Sequence, residues 1–170
     1  MRKLALAVSG AILLFSVWGA ARGQGAQSAA ASIGGITPGS PDKVAVFRNA
    51  DLQTTWKDLE AKQVINKRAL DGGTYSINVR IVRESDAPLV HAHSIDIWIV
   101  TAGTATAVTG GELLDPKLRP RTDDMAGSSI RGGAEQPLQT GDVLYVPIGT
   151  PHGFKDLKGF RAFLIRTDVK

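Results

Sequence analysis

From Asp71 to the C-terminus no apolar run is long enough for a helix, and nearly every one alternates with a period of two. Tyr75, Ile77, Val79 and Ile81 alternate with Ser76, Asn78, Arg80 and Val82, directly after the Gly72-Gly73 turn. Further short runs occupy residues 89–93, 97–101 and 104–109, and Gly110-Gly111 separates them from Glu112-Leu113-Leu114. Residues 115–128 carry two prolines and several charges without apolar period, which predicts a loop. Ser129-Ile130-Arg131 reads as an edge strand before Gly132-Gly133, and residues 143–146, 153–155 and 160–165 complete the set. Successive strand side chains point to opposite faces. Many short strands without intervening helices can bury their apolar faces only in a sandwich or a closed barrel. The fold class is therefore all-β. Tyr75, Ile77, Val79 and Ile81 are assigned to its core.

Upstream, Val44-Ala45-Val46-Phe47 reads as a short strand. Asn49 or Asp51 is placed to cap a helix over about Asp51 to Ala61, where Leu52, Trp56 and Leu59 recur at i, i+4 and i+7. That stripe is narrow, so the helix should pack on the outside of something larger. Arg2 and Lys3 precede an apolar run, Leu4 to Trp18, broken only by Ser9, Gly10 and Ser16. Gly19-Ala20-Ala21 and Ala29-Ala30-Ala31 then offer small residues, the layout of a bacterial secretory leader. The run is shorter than the ~20 residues a membrane-spanning helix needs. The expectation is a signal peptide over 1–21, cut anywhere from 21 to 31, with no stable membrane anchor afterwards and a periplasmic or secreted protein. Residues 22–41, rich in Gly, Ala, Ser and Gln, read as a flexible segment, and 42–170 as a single domain.

Composition removes several functions. The chain of 170 residues has no cysteine, so no disulfide, thiolate metal site or cysteine nucleophile exists. Its 20 basic and 16 acidic residues fall to 18 against 16 once Arg2 and Lys3 leave with the leader. A near-neutral domain has no electrostatic footprint for nucleic acid.

The three histidines of the chain all lie in two short stretches. His91-Ala92-His93 is followed by Asp96; on a strand, residues at i and i+2 share a face, so both imidazoles could serve one metal. Gly141-Asp142 launches an apolar strand, and Pro147 to Pro151 forms a turn that delivers His152. Alternation places Asp96, Trp98 and Val100 on one face. Trp98 and Tyr145 are the candidate pocket-lining aromatics, although the face Tyr145 takes depends on the turn beyond it.

Together the two stretches resemble the paired signature motifs of the cupin superfamily, G-x5-H-x-H-x3/4-E-x6-G and G-x5-P-x-G-x2-H-x3-N. The second is matched at Gly141, Pro147, Gly149 and His152, with Asp156 in place of Asn. The first is matched at His91, His93 and Gly103, with Ser85 in place of Gly and Asp96 in place of Glu. Asp96 sits one residue nearer the histidines than the family spacing, yet keeps the family offset to Gly103. The resemblance covers about Thr74 to Arg166. It implies a double-stranded β-helix (jelly-roll) barrel in which His91, His93 and His152, with Asp96 as fourth ligand, hold one divalent transition metal ion: iron, manganese, zinc, nickel or copper. It also implies a small-molecule substrate or ligand and a homodimer paired through edge strands. Three readings stay open: a mononuclear metal-dependent enzyme of dioxygenase, isomerase or lyase type, a non-catalytic module that binds a small molecule or metal, and a structural metal that only staples the barrel.

Overall fold

The computed structural model of the chain describes residues 32–169. The leader and its cleavage window lie outside the described residues. Among the described residues, no helix is long and apolar enough to cross a membrane. The elements run α1 (Asn49–Ala61), β1 (Asn66–Asp71), β2 (Tyr75–Ile81), β3 (Leu89–Val90), β4 (Ser94–Thr109) and β5 (Glu112–Leu114). They continue with β6 (Lys117–Leu118), β7 (Met125–Ala126), β8 (Ser129–Arg131), β9 (Ala134–Gln139), β10 (Val143–Val146) and β11 (His152–Asp168). All strand pairs are antiparallel.

Two long strands organise everything else. β4 and β11 pair along their whole length, from His152↔Thr109 to Asp168↔Ser94. Each covers what the sequence pattern divides into two strands. The divisions are corners, where the ladder continues through a bend. Gly103 has φ 74°, and a Cβ there would lie 2.3 Å from the Lys158 carbonyl oxygen. Only glycine fits this crossing of the two backbones. Opposite it, β11 shifts register between Lys155 and Ala162, and such bulges turn a strand sharply. One half of β4 thus pairs with β10 and the far half of β11, and the other half with β9.

The inner core lies between these strands, where Trp98, Val100, Ala107, Val146, Phe160 and Ala162 are buried together. A second cluster joins α1 to the outer face of the sheet through Leu52, Trp56, Leu59, Val79 and Ile81, with the Trp56 and Phe163 rings edge-on at 5.9 Å. The helix starts earlier than its caps suggest, with Arg48 at the N-cap and no side-chain cap bond.

The structure redraws three segments. Residues 44–47 form no strand, and Val44 is fully exposed because no neighbouring strand edge reaches it. In the described part of the segment expected to be flexible, Ile36 is buried, its N–H bonds Thr55 Oγ1 at 2.9 Å, and Gly39 bridges to Leu70. One apolar residue with no period pins this stretch to α1. The predicted loop after Asp115 contains β6 and β7, which extend the main sheet beyond β3.

β2 carries a reversal with functional weight. Ile77, Val79 and Ile81 do belong to a core, but it is the one beneath α1, and Tyr75 at their head is exposed. The polar set Ser76, Asn78 and Arg80 faces the barrel interior instead, where it lines a cavity.

Candidate metal centre

His91, Asp96 and His152 come together in the interior, all three buried, each offering one donor atom within 4.8 Å of the others. His91 Nε2 lies 3.2 Å and His152 Nε2 3.5 Å from Asp96 Oδ2. Asp96 arrives by strand phase. Ser94, Asp96, Trp98 and Val100 form the inward face of β4. His152 is the first residue of β11, behind the Pro147–Pro151 turn, whose Gly149 N–H bonds the His91 carbonyl at 2.9 Å. That bond ties the two histidine segments together.

His93 does not join them. Residues 91–93 form a bend, not a strand, so the period of two never applies across the pair. Ala92 is held in that bend by its N–H bond to Asp124 Oδ1 at 3.2 Å. β4 then begins with even-numbered residues facing inward, which sends His93 outward. Its side chain is 70% exposed, 3.3 Å from the equally exposed Asp123. Trp98 lines the cavity beside Asp96. Tyr145 pairs with Ile97, in the opposite phase to Asp96 and Trp98, and is exposed on the outer face. The expected pocket role of Tyr145 is corrected by that register.

Two residues that pattern analysis passes over complete the centre. Arg166 stands directly across the ladder from Asp96 and grips it with both prongs, Nε to Oδ1 at 2.7 Å and Nη2 to Oδ2 at 2.8 Å. Its sequence signal is an arginine in the inward phase of Phe160, Ala162 and Leu164. Asp124, from the long connection, accepts from His91 Nδ1 at 2.8 Å. Nothing in the loop sequence singles it out. Burial works to raise the Asp96 carboxyl, but the two-pronged Arg166 bond, joined by His152 and His91 whenever their Nε2 atoms carry protons, outweighs it and holds the group well below the ordinary aspartate value of 3.8. Burial likewise opposes ionisation of Asp124, and the His91 contact and the Ala92 N–H overcome it.

Both carboxyls therefore release protons more readily folded than unfolded. Their stabilisation is complete above the ordinary value and is lost as pH falls through it towards the folded values. Thermal melts should show wild type losing stability steadily from about pH 5 downwards. Asp96→Asn should start lower at neutral pH and fall less steeply. Parallel slopes for the two proteins would contradict this.

The cavity next to this group has a volume of about 310 Å³ and is bounded by Asp96, Trp98, His152, Arg166, the inward residues of β2, and Phe154. No family model matches the sequence, and no curated protein matches it. Solved structures do. A protein from Bacillus halodurans superposes with a TM-score of 0.51 at 12% identity, over 79% of this chain and 88% of that one. An RmlC-like cupin with a double-stranded β-helix fold from Methanocaldococcus jannaschii matches at 0.43 and 14% identity, over 77% and 94%. A cupin 2 conserved barrel domain protein from Salinispora arenicola matches at 0.37 and 18% identity, over 61% and 74%. The chain shares its fold with the Bacillus halodurans protein.

In this β-barrel the chemistry of the donor set fits a cation. His91 Nδ1 faces a carboxylate, and His152 Nδ1 faces the Thr150 carbonyl at 3.0 Å. Both partners only accept, so each Nδ1 carries a proton, and in the neutral tautomer each ring turns a lone pair at Nε2 towards Asp96 Oδ2. Three acceptors converge, and only added protons or a metal ion satisfy them. Their spacings of 3.2 and 3.5 Å are those kept by ligands that each lie ~2.0–2.2 Å from one ion. The bonds behind the imidazoles fix ring orientation in the way metal-ligating histidines require.

Proposed function

We propose that this protein is a metal-dependent cupin that acts on a small molecule, with a divalent transition ion held by His91, Asp96 and His152. The convergence of two oriented imidazole lone pairs and a buried carboxylate oxygen carries this reading. His93 has no part in it. A bound ion supplies Lewis-acid polarisation of a substrate oxygen. The chain's own residues do the rest. Asp124 and the Thr150 carbonyl hold the imidazoles in one tautomer, and Arg166 orients Asp96. The cavity takes the substrate against Trp98 and shields it from bulk water. Two histidines and one carboxylate leave coordination positions open on a six-coordinate ion, which suits turnover more than stapling of the barrel. The protein works in the periplasm or outside the cell, a proposal supported by the charged, apolar and small-residue order of residues 1–21.

The second reading, binding without turnover, draws on one observation. The cavity carboxylates are both engaged by arginines, Asp96 by Arg166 and Asp86 by Arg80, which leaves no free general base there. Elemental analysis of the purified mature protein tests the metal premise. The expected result is one divalent transition ion per chain. A protein that stays metal-free after incubation with iron, manganese, zinc, nickel and copper in turn would sink the metal-dependent reading and leave only small-molecule binding.

A further inference from the structure

The cavity beside the metal centre is walled by four arginines, Arg68, Arg80, Arg119 and Arg166, and by only two aspartates, Asp86 and Asp96. Two of those cations are committed. Arg166 spends its fork on Asp96, and Arg68 bonds Asp71 at 2.7 Å. Arg80, whose pairing with Asp86 is loose, and Arg119 keep donors to spare. The Arg80 side chain is 18% exposed, yet its two bonds are long, 3.3 Å to Asp86 Oδ2 and 3.4 Å to the Ile65 carbonyl. Good N–H···O bonds run from about 2.7 to 3.2 Å, so most of its donor capacity is unspent. Arg119 stands 3.9 Å from Asp124 Oδ2, and its guanidinium makes no hydrogen bond among the described residues. Trp98, on the same wall, has a buried Nε1 without an acceptor.

A partly desolvated cation without good acceptors, as Arg80 is, is costly, and a ligand that brings oxygens removes the cost; Arg119, 43% exposed, adds a second free fork at the mouth. The planar guanidinium fork matches a carboxylate. The rest of the wall is mixed: Leu89, Trp98, Phe154 and Leu164 gather as its apolar part, while Asn66, Ser76, Asn78 and His152 are polar. A volume of about 310 Å³ is at the small end of ligand pockets, which span ~300–1,000 Å³.

We propose that the ligand of this cavity is a small organic carboxylate, with its head group on Arg80 and Arg119 and its apolar body against Trp98 and Phe154. This rests on the metal-dependent reading for what happens to the ligand, but not for how the ligand is recognised. An inorganic or sugar phosphate would use the same cations, and Ser76 and Asn78 besides, while leaving Leu89, Trp98, Phe154 and Leu164 unmatched.

Isothermal titration with benzoate and phenylacetate, each against its own neutral amide and against inorganic phosphate, decides the matter. It is run on metal-loaded and metal-stripped protein, with metal content measured on every sample. At least one acid should bind about tenfold or more tightly than its amide in both forms. Arg80→Gln and Arg119→Gln should each abolish that preference, and Lys117→Gln, at an exposed position outside the cavity, should keep it. Arg119 lies on the open side of the cavity, so its substitution is informative even if Arg80→Gln misfolds. Three results overturn the proposal: neither acid preferred over its amide, a preference that survives both arginine substitutions, or inorganic phosphate bound more tightly than either acid. A protein that takes up no metal but retains the preference supports the carboxylate site and sinks only the metal reading. An ion-replete protein without the preference sinks only this proposal.

Discussion

His91→Ala should bind its metal roughly a hundredfold or more weakly than wild type, while His93→Ala should match wild type within about twofold. The scale follows from orienting groups alone, whose loss costs ~10–100-fold in metal affinity, so loss of a ligand must cost at least that much. His91 is buried with Nε2 3.2 Å from Asp96, whereas His93 is 70% exposed beside Asp123. His152→Ala should behave like His91→Ala. Competitive chelation across the four proteins makes the comparison. Equal losses for His91→Ala and His93→Ala would restore the four-ligand set that the family motif implies, with His93 turned inward at the ion. The contrast matters because the motif treats the two histidines as equivalent, and the fold does not.

Arg166→Leu should lower the stability of the metal-free protein by about 3–5 kcal/mol, the range found when one partner of a buried ion pair is removed. Asp96 has no exposed surface, and without Arg166 its charge faces only two imidazoles. Arg166 is itself 29% exposed, which places the expected loss towards the lower end. Arg166→Lys keeps the charge but not the two-pronged geometry, and should recover only part of the loss. Replacing Arg166 and Asp96 together by leucine should recover more than Arg166→Lys, because it removes the stranded charge itself. Urea denaturation of the metal-free proteins measures all four. A loss below about 1 kcal/mol for Arg166→Leu would show that water already screens the pair, as at a surface bridge.

Much of the fold was legible because turn chemistry and period are local. Gly72-Gly73, Gly110-Gly111 and Gly141-Asp142 each bound a strand where the pattern places one. Leu52, Trp56 and Leu59 are the buried stripe of α1. The corners were not legible. Gly103 looks like an ordinary strand end until Lys158 and Gly159 are seen crossing over it. At the site, Asp96, Trp98 and His152 could be nominated from spacing and phase. Arg166 and Asp124 lie 70 and 33 residues from their partners Asp96 and His91, and no local rule links such positions.

By itself the sequence determined the all-β class, the outer helix, and the turn that carries His152 towards the His91 segment. Those follow from steric limits on glycine and proline and from the two periods of the backbone, which act within a few residues. Period alone cannot say which face of a strand points inward. On β2 the apolar face went to α1 and the polar face to the cavity, and on the β3–β4 connection one histidine turned in and the other out. The tertiary structure made those choices. They depend on which surface arrives to cover each face, and on the cross-strand register that set Arg166 opposite Asp96.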